Sequence, residues 1–347
     1  MNSDFSLFYL YCAIMFYLWQ EELDLRHPKI QVFKYDPQLG VQQYCNYQDL
    51  NGSINQSLEF QDYDHYFLLD DSRFHFFRFD VYREKEEPFT IDDYNTILQE
   101  RINYLKTITK EELLFTTVDN IYVQGQPQKF LIWAKGQIFF RLCLIYLNRN
   151  TLLDFNHRYG DIFEHKNLHI FPESFKTISF LKRRLERDNF YLLYIKESVC
   201  KIIQVQDGFY KRIESINLGV SFLMQMYREN QIVKYRYKSQ SEIESNPLAK
   251  SLILETTAFY TQQLCKWLQD LQLTQQDLFL VSPIIKNPYF LELFNKEYGK
   301  LHGRYIMPFH SSSKLQTFDR ERDAEDIDLL IFLNSKTLKT QLLENKK

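Results

Sequence analysis

The chain has 347 residues and a formal net charge of −3, from 42 Lys+Arg against 45 Asp+Glu, so it offers no basic footprint for nucleic acid, and no such partner is expected. Hydrophobic residues make up 45% and include 30 Phe and 24 Tyr, a globular composition with enough apolar mass for two domains or one multi-lobed domain. Glycine is scarce, 9 in all where an average chain of this length carries roughly 24. Neither G-x-G-x-x-G nor G-x-x-x-x-G-K-[ST] occurs, which excludes Rossmann and P-loop enzymes.

In chain order, Phe5 to Trp19 is apolar but only about 15 residues long, short of the ~20 a spanning helix needs. It lacks a basic leader and a small-residue cleavage site, so a buried core element is expected, with an interfacial anchor left open. Lys29 to Tyr35 alternates as a strand, and Asp36 to Asp64 is polar and turn-rich. Tyr66–Leu69 and Arg73–Val81 read as a hairpin-like pair around Asp70-Asp71-Ser72, with the two acids expected in a solvated turn. The charged run Arg83–Glu87 is a boundary candidate, and its Glu86-Glu87 pair reads as solvated too. Thr90 is placed to cap a helix with Asp93 three residues on, and Ile91, Tyr94, Ile97, Leu98, Ile102 and Leu105 follow at helical spacing. Strand-like segments follow, with turns near Gly125 and Lys135-Gly136.

Phe175 to Arg187 is amphipathic and helical. Tyr191 to Gly219 reads as a β-hairpin turning at Gln206-Asp207-Gly208. Helices are expected from Val220 to about Tyr235, Leu248 to Leu271 and Pro288 to Tyr298, and strands at Asp277–Val281 and Tyr305–Phe309. Ala324 to Leu343 is expected to be helical, with Ile327, Leu330, Ile331, Leu338 and Leu342 on one face and Lys336, Lys339, Lys346 and Lys347 nearby; a packed terminal helix and a membrane-surface helix both fit. The five cysteines (Cys12, Cys45, Cys143, Cys200, Cys265) lack a C-x-x-C and read as buried hydrophobes in a reducing compartment. His165 and His169 are four apart but lead into a strand or loop, and no metal site is expected.

Four stretches together resemble the PilM/FtsA branch of the actin-like ATPase superfamily. Thr90-Ile91-Asp92-Asp93, Asn120–Gly125 and Lys135–Ile138 are similar to that branch's SHS2-type insertion. The spacing from Tyr194 to Asp207-Gly208 is similar to that from the phosphate-loop Asp to the hairpin turn in the family. Ser251–Leu264 resembles a PilM helix, and Leu278–Phe309 resembles the strand, glycine pair, helix and terminal N-P-F of the family, with Ser282-Pro283-Ile284 at the glycines and Met307-Pro308-Phe309 at the end.

The resemblance covers about residues 66 to 330. It implies an α/β, actin-like (ribonuclease H-like) two-lobed fold with an SHS2-type α+β insertion. Its expected segments are 1–87 (first lobe), 88–165 (insertion), 166–189 (first lobe continued), 190–323 (second lobe) and 324–347 (C-terminal helix). It also implies where nucleotide chemistry is missing. The first phosphate loop has no counterpart, Tyr194 stands at the acidic position, and Pro283 removes a backbone donor near the adenosine site. Lys196, Ser198 and Ser282 are the residues left to contact a nucleotide in a degenerate site.

The expected function is therefore a catalytically inactive scaffold, without cofactor or catalytic residues. It would be cytoplasmic or peripheral at the inner face of the membrane, and would bind the short cytoplasmic tail of a bitopic membrane protein in type IV pilus or related secretion assembly, with self-association also open. The alternatives are an FtsA-like division protein and a weak ATPase with a rearranged site that binds ATP.

Overall fold

The computed structural model describes residues 16–22, 29–36, 40–46, 64–109, 111–128, 130–163, 168–184, 187–235, 240–273, 276–281, 289–303 and 307–308. The expected C-terminal helix, Ser282-Pro283-Ile284, His165 and most of Phe5–Trp19 lie outside them. The chain divides into two compact units, Met1–Glu22 with Ile30–Phe180 and Thr317–Lys347, and Leu23–Lys29 with Leu181–Gln316.

In the first unit, β1 (Phe16–Glu22), β2 (Lys29–Asp36), β3 (Gly40–Asn46), β4 (Asp64–Leu69) and β9 (Leu168–Pro172) form a sheet ordered β3-β2-β1-β4-β9. Strands β2 and β3 are antiparallel, whereas β4 lies parallel to both β1 and β9. In the second unit, β10 (Phe190–Ile195), β11 (Cys200–Gln206), β12 (Phe209–Ile216), β13 (Asp277–Val281) and β14 (Met307–Pro308) are ordered β12-β11-β10-β13-β14. Here β10, β11 and β12 make an antiparallel meander, and β10, β13 and β14 run parallel. The same order recurs in both units with no repeat in the sequence. This is the α/β, actin-like (ribonuclease H-like) architecture.

Strand β10 is buried at all six positions because it lies between β11 and β13. The β11–β12 turn falls at the predicted Asp207-Gly208, both with positive φ (55° and 75°), as a two-residue hairpin turn matched to strand twist requires. One prediction was a strand short. Tyr191–Gly219 holds three strands, because the chain also reverses between Ile195 and Cys200.

An α+β module interrupts the first sheet between β4 and α2 (Arg149–Phe163), the helix that leads to β9. Its strands β5 (Phe74–Lys85), β6 (Glu112–Val123), β7 (Gln126–Gln128) and β8 (Gly136–Leu147) are ordered β5-β8-β6-β7. The helix α1 (Ile91–Ile108) packs Tyr94, Ile97 and Leu105 against the alternating Ile138, Phe140, Leu142, Leu144 and Tyr146 of β8. The predicted cap is realised as a full capping box: Thr90 Oγ1 accepts from the Asp93 N–H at 3.2 Å, and Asp93 Oδ2 accepts from the Thr90 N–H at 2.8 Å. Phe115 on β6 meets Phe171 and Phe175, each at 5.3 Å, and so ties the module to the body of its own unit.

Strands β4 and β5, read from sequence as a hairpin-like pair, belong to different sheets. A 3₁₀ turn over Asp71–Arg73 redirects the chain, with the Asp70 carboxylate accepting from the Ser72 N–H at 2.9 Å. The two acids are not solvated, since each is 1% exposed. Asp71 accepts from the Ser174 N–H at 3.1 Å and from its hydroxyl, joining the carboxyl ends of the neighbouring parallel strands β4 and β9.

In the second unit α4 (Val220–Glu229), α6 (Pro247–Asp270) and α7 (Phe290–His302) cover the sheet, with Tyr260, Leu264 and Leu268 of α6 and Phe290 and Phe294 of α7 fully buried. Short α5 (Gln240–Glu244) precedes α6, and α3 (Phe175–Arg184) precedes β10.

Candidate functional site

Lys196 and Ser198, two of the three residues expected near a nucleotide, lie together in the tight turn between β10 and β11; Ser282 lies outside the described residues. The turn closes on itself through Lys196 N–H, which donates to Val199 O at 2.9 Å. It is also fastened to α4. The N–H groups of Gly219, Val220 and Ser221 donate to the carbonyls of Ser198, Lys196 and Glu197 at 3.2, 2.9 and 2.7 Å.

These bonds explain how α4 begins. The first N–H groups of a helix have no partner within it, and side chains or an anion often supply one. Gly219 at the N-cap makes no side-chain bond, and the turn's carbonyls supply the acceptors. Only glycine fits here, since a Cβ on Gly219 would sit 2.4 Å from Ser198 C and 2.5 Å from both Glu197 O and Val199 N. The donors at the start of α4 are thus already used, and this helix end has none left for a phosphate.

The same bonds orient the turn. A trans peptide sets its N–H opposite its C=O. Pinning the carbonyls of residues 196, 197 and 198 to α4 therefore directs the N–H groups of Glu197, Ser198 and Val199 away from it. The backbone of the turn thus turns its amides to the side opposite α4. Ser198 is 7% exposed and Tyr194, which the resemblance sets at the family's acidic position, is 5% exposed. Glu197 is the exposed side chain of the turn, and a carboxylate there repels phosphate rather than binding it. Among the described residues, no group of three or more His, Cys, Asp or Glu is gathered to hold a metal ion.

Behind the turn the structure is tied rather than open. Tyr260 on α6 donates its hydroxyl to Leu218 O at 2.7 Å, and Cys200 Sγ lies 2.9 Å from the same carbonyl. Burial pushes the Cys200 thiol up to about 12, against a smaller opposing pull from the Tyr260 hydroxyl, so it is no nucleophile at neutral pH. Cys143, Cys200 and Cys265 are all buried, as read from sequence.

Sequence reasoning missed three contributors. Lys201, directly across from Tyr194 in the β10–β11 pairing, is 1% exposed; its signal is a lone cation in an apolar strand. Gly219 carries the turn-to-helix contact, and the glycine shortage itself was the clue to look there. The Asp71–Ser174 bond joins residues 103 apart in sequence and has no local signal.

No family profile and no curated protein matches the chain. Among solved structures, it is similar to a PilM-PilN type IV pilus biogenesis complex at 9% identity, covering 93% of this chain and 99% of that one, with a TM-score of 0.47. A Bacteroides thetaiotaomicron protein of actin-like ATPase fold and unknown function matches at 11% identity over 91% and 95% of the two chains, with a TM-score of 0.38. The cytoplasmic domain of EpsL, an inner-membrane component of the Vibrio cholerae type II secretion system, matches at 6% identity over 93% and 96%, with a TM-score of 0.37. The likeness is one of fold alone.

Proposed function

We propose that this chain is a catalytically inactive actin-like scaffold, resembling PilM, that recruits a membrane-anchored partner in type IV pilus or related secretion assembly. The observation that carries the reading is the β10–β11 turn. It is tied to α4, Tyr194 stands where the resemblance to the family implies a carboxylate for Mg²⁺ chemistry, and the turn's exposed side chain is the carboxylate of Glu197. A frame held in this way supports shape rather than turnover.

The proposed partner is a bitopic membrane protein with a short cytoplasmic tail, and the chain's proposed place is the cytoplasm or the inner face of the membrane. No described helix is long and apolar enough to cross a bilayer. An exposed aromatic row supports a recruiting role. Tyr82, Phe139 and Tyr122 lie side by side on β5, β8 and β6, with ring centroids 4.8 and 5.9 Å apart; Tyr82 is 69% exposed and Tyr122 39%. Aromatic groups left in water on a rigid sheet are the usual anchors of a protein contact.

Affinity purification of the tagged chain from detergent-solubilised membranes tests this. The expected result is one bitopic protein, retained by the wild type, lost when its cytoplasmic tail is deleted and weakened by Tyr82→Ala/Tyr122→Ala. Recovery that is indifferent to the tail contradicts the reading. Weak nucleotide binding is the second reading, favoured by the outward direction of the three turn amides.

A further inference from the structure

The second unit carries an open groove between α4 and α6 that no feature described above uses. On α6, Leu248, Leu252, Glu255 and Phe259 follow one another along one face, and on α4 Phe222, Gln225, Met226 and Glu229 do the same. Leu252, Glu255, Phe259 and the four α4 residues line a cavity of about 400 Å³, together with Asn230 and Thr256. Leu248 is 72% exposed and Phe259 48%, although the opposite face of α6 is core.

The groove is rigid. Tyr227 and Thr257 hydroxyls are 3.0 Å apart, and Asn230 Nδ2 donates to Thr256 Oγ1 at 3.0 Å, so α4 is pinned to α6 from beneath. Its charge has one sign. Glu229 and Glu255 are the ionisable residues among those that line it. Each accepts a single neutral bond, from Gln225 Nε2 at 3.0 Å and from Ser251 Oγ at 3.1 Å.

We infer that this groove docks a cationic amphipathic helix of a partner protein. The stripe from Leu248 to Phe259 spans about 16 Å at ~1.5 Å per residue, room for a helix of about three turns. An apolar face on such a helix covers Phe222, Met226, Leu252 and Phe259, and Lys or Arg on its flanks meets Glu229 and Glu255. A β-strand does not suit a trough walled by two helices, and an acidic helix is repelled by both rim carboxylates. The inference is independent of the scaffold reading, because it concerns only the chemistry of this groove.

The test uses fluorescence anisotropy on the full chain, with a fluorescein-labelled Leu/Lys peptide of about 12 residues whose leucines are at helical spacing. The expected result is saturable binding at physiological salt, at least tenfold weaker for the Leu/Glu counterpart. Glu229→Lys/Glu255→Lys is expected to weaken the Leu/Lys peptide at least tenfold and to strengthen the Leu/Glu peptide. Leu252→Ser/Phe259→Ser is expected to weaken it similarly, whereas Glu86→Lys/Glu87→Lys, at two residues that do not line the groove, leaves it within twofold. Circular dichroism confirms that each variant is folded. Equal binding of both peptides, or equal loss in the Glu86→Lys/Glu87→Lys control, overturns the inference. If the groove variants lose the peptide yet still recover the bitopic protein, the groove assignment stands and serves a different partner; if they bind the peptide unchanged, the groove assignment fails whatever the purification shows.

Discussion

Replacing Gly219 with alanine tests how the β10–β11 turn is held. The new Cβ would lie 2.4–2.5 Å from the backbone of residues 197 to 199, where ordinary contact begins near 3.4 Å, so turn and helix must separate by about 1 Å. The obstructing atoms are main chain, and no side chain can swing aside. Separation stretches the bonds from Gly219, Val220 and Ser221, now 3.2, 2.9 and 2.7 Å. Overpacking a well-filled site costs about 1–3 kcal/mol. Each weakened backbone bond adds up to about 1 kcal/mol. A loss of about 2–4 kcal/mol follows, or roughly 5–15 °C in Tm for a unit of this size. The assay is differential scanning calorimetry with urea unfolding, and Asn217→Ala, at an exposed neighbour, serves as the control expected to stay within about 0.5 kcal/mol. A Gly219→Ala protein melting within 1 °C of wild type would refute the close turn-to-helix contact.

Three further outcomes are expected. Thr90→Ala removes one arm of the α1 capping box and should lower stability by about 1 kcal/mol, read as a shift in urea midpoint at constant m-value. The Lys85 ammonium, aided by the Thr90 N–H, holds the Asp93 carboxyl down to about 2. A carboxyl depressed on folding stabilises above its ordinary value near 3.9 and loses that effect as pH falls through about 2. Thermal melts between pH 4 and 2 should therefore show a shallower decline for Asp93→Asn than for wild type. With Cys12 and Cys45 changed to serine, the thiols that remain should resist a thiol reagent at pH 8 and react only on unfolding, since burial pushes Cys200 and Cys265 up to about 12. Rapid labelling of the folded protein would contradict that burial.

Local signals made much of the second unit legible. Asn246 with Pro247 begins α6 within a residue of the expected start, Asp277–Val281 is the expected strand, and Asp207-Gly208 makes the expected turn. Thr90 and Asp93 form the predicted cap for the same reason: the partners are three residues apart. What escaped depends on distance in sequence or on burial. The reversal at Lys196–Val199 lacks Gly, Pro and Asn, because α4, rather than turn chemistry, holds it. Asp70 and Asp71 read as solvent-facing because nothing nearby announces Ser174. Strand β3 (GVQQYCN) has too little apolar alternation to stand out from the polar stretch around it. Of the candidate site, the turn at Asp207-Gly208 was legible; that Lys196 and Ser198 lie in a second turn, and which way its peptides point, was not.

The central claim is that the turn keeps the frame of a nucleotide site without its chemistry. Mg-ATP, added over a wide concentration range to wild type and Lys196→Ala, tests it through melting temperature and phosphate release together. A ligand at 100 times its Kd stabilises a protein by about 2.7 kcal/mol, well within reach of a melting assay. The account predicts no phosphate release above the protein-free rate, and no Mg-dependent stabilisation that Lys196→Ala abolishes. Mg-dependent ATP turnover by the wild type that disappears in Lys196→Ala would contradict it.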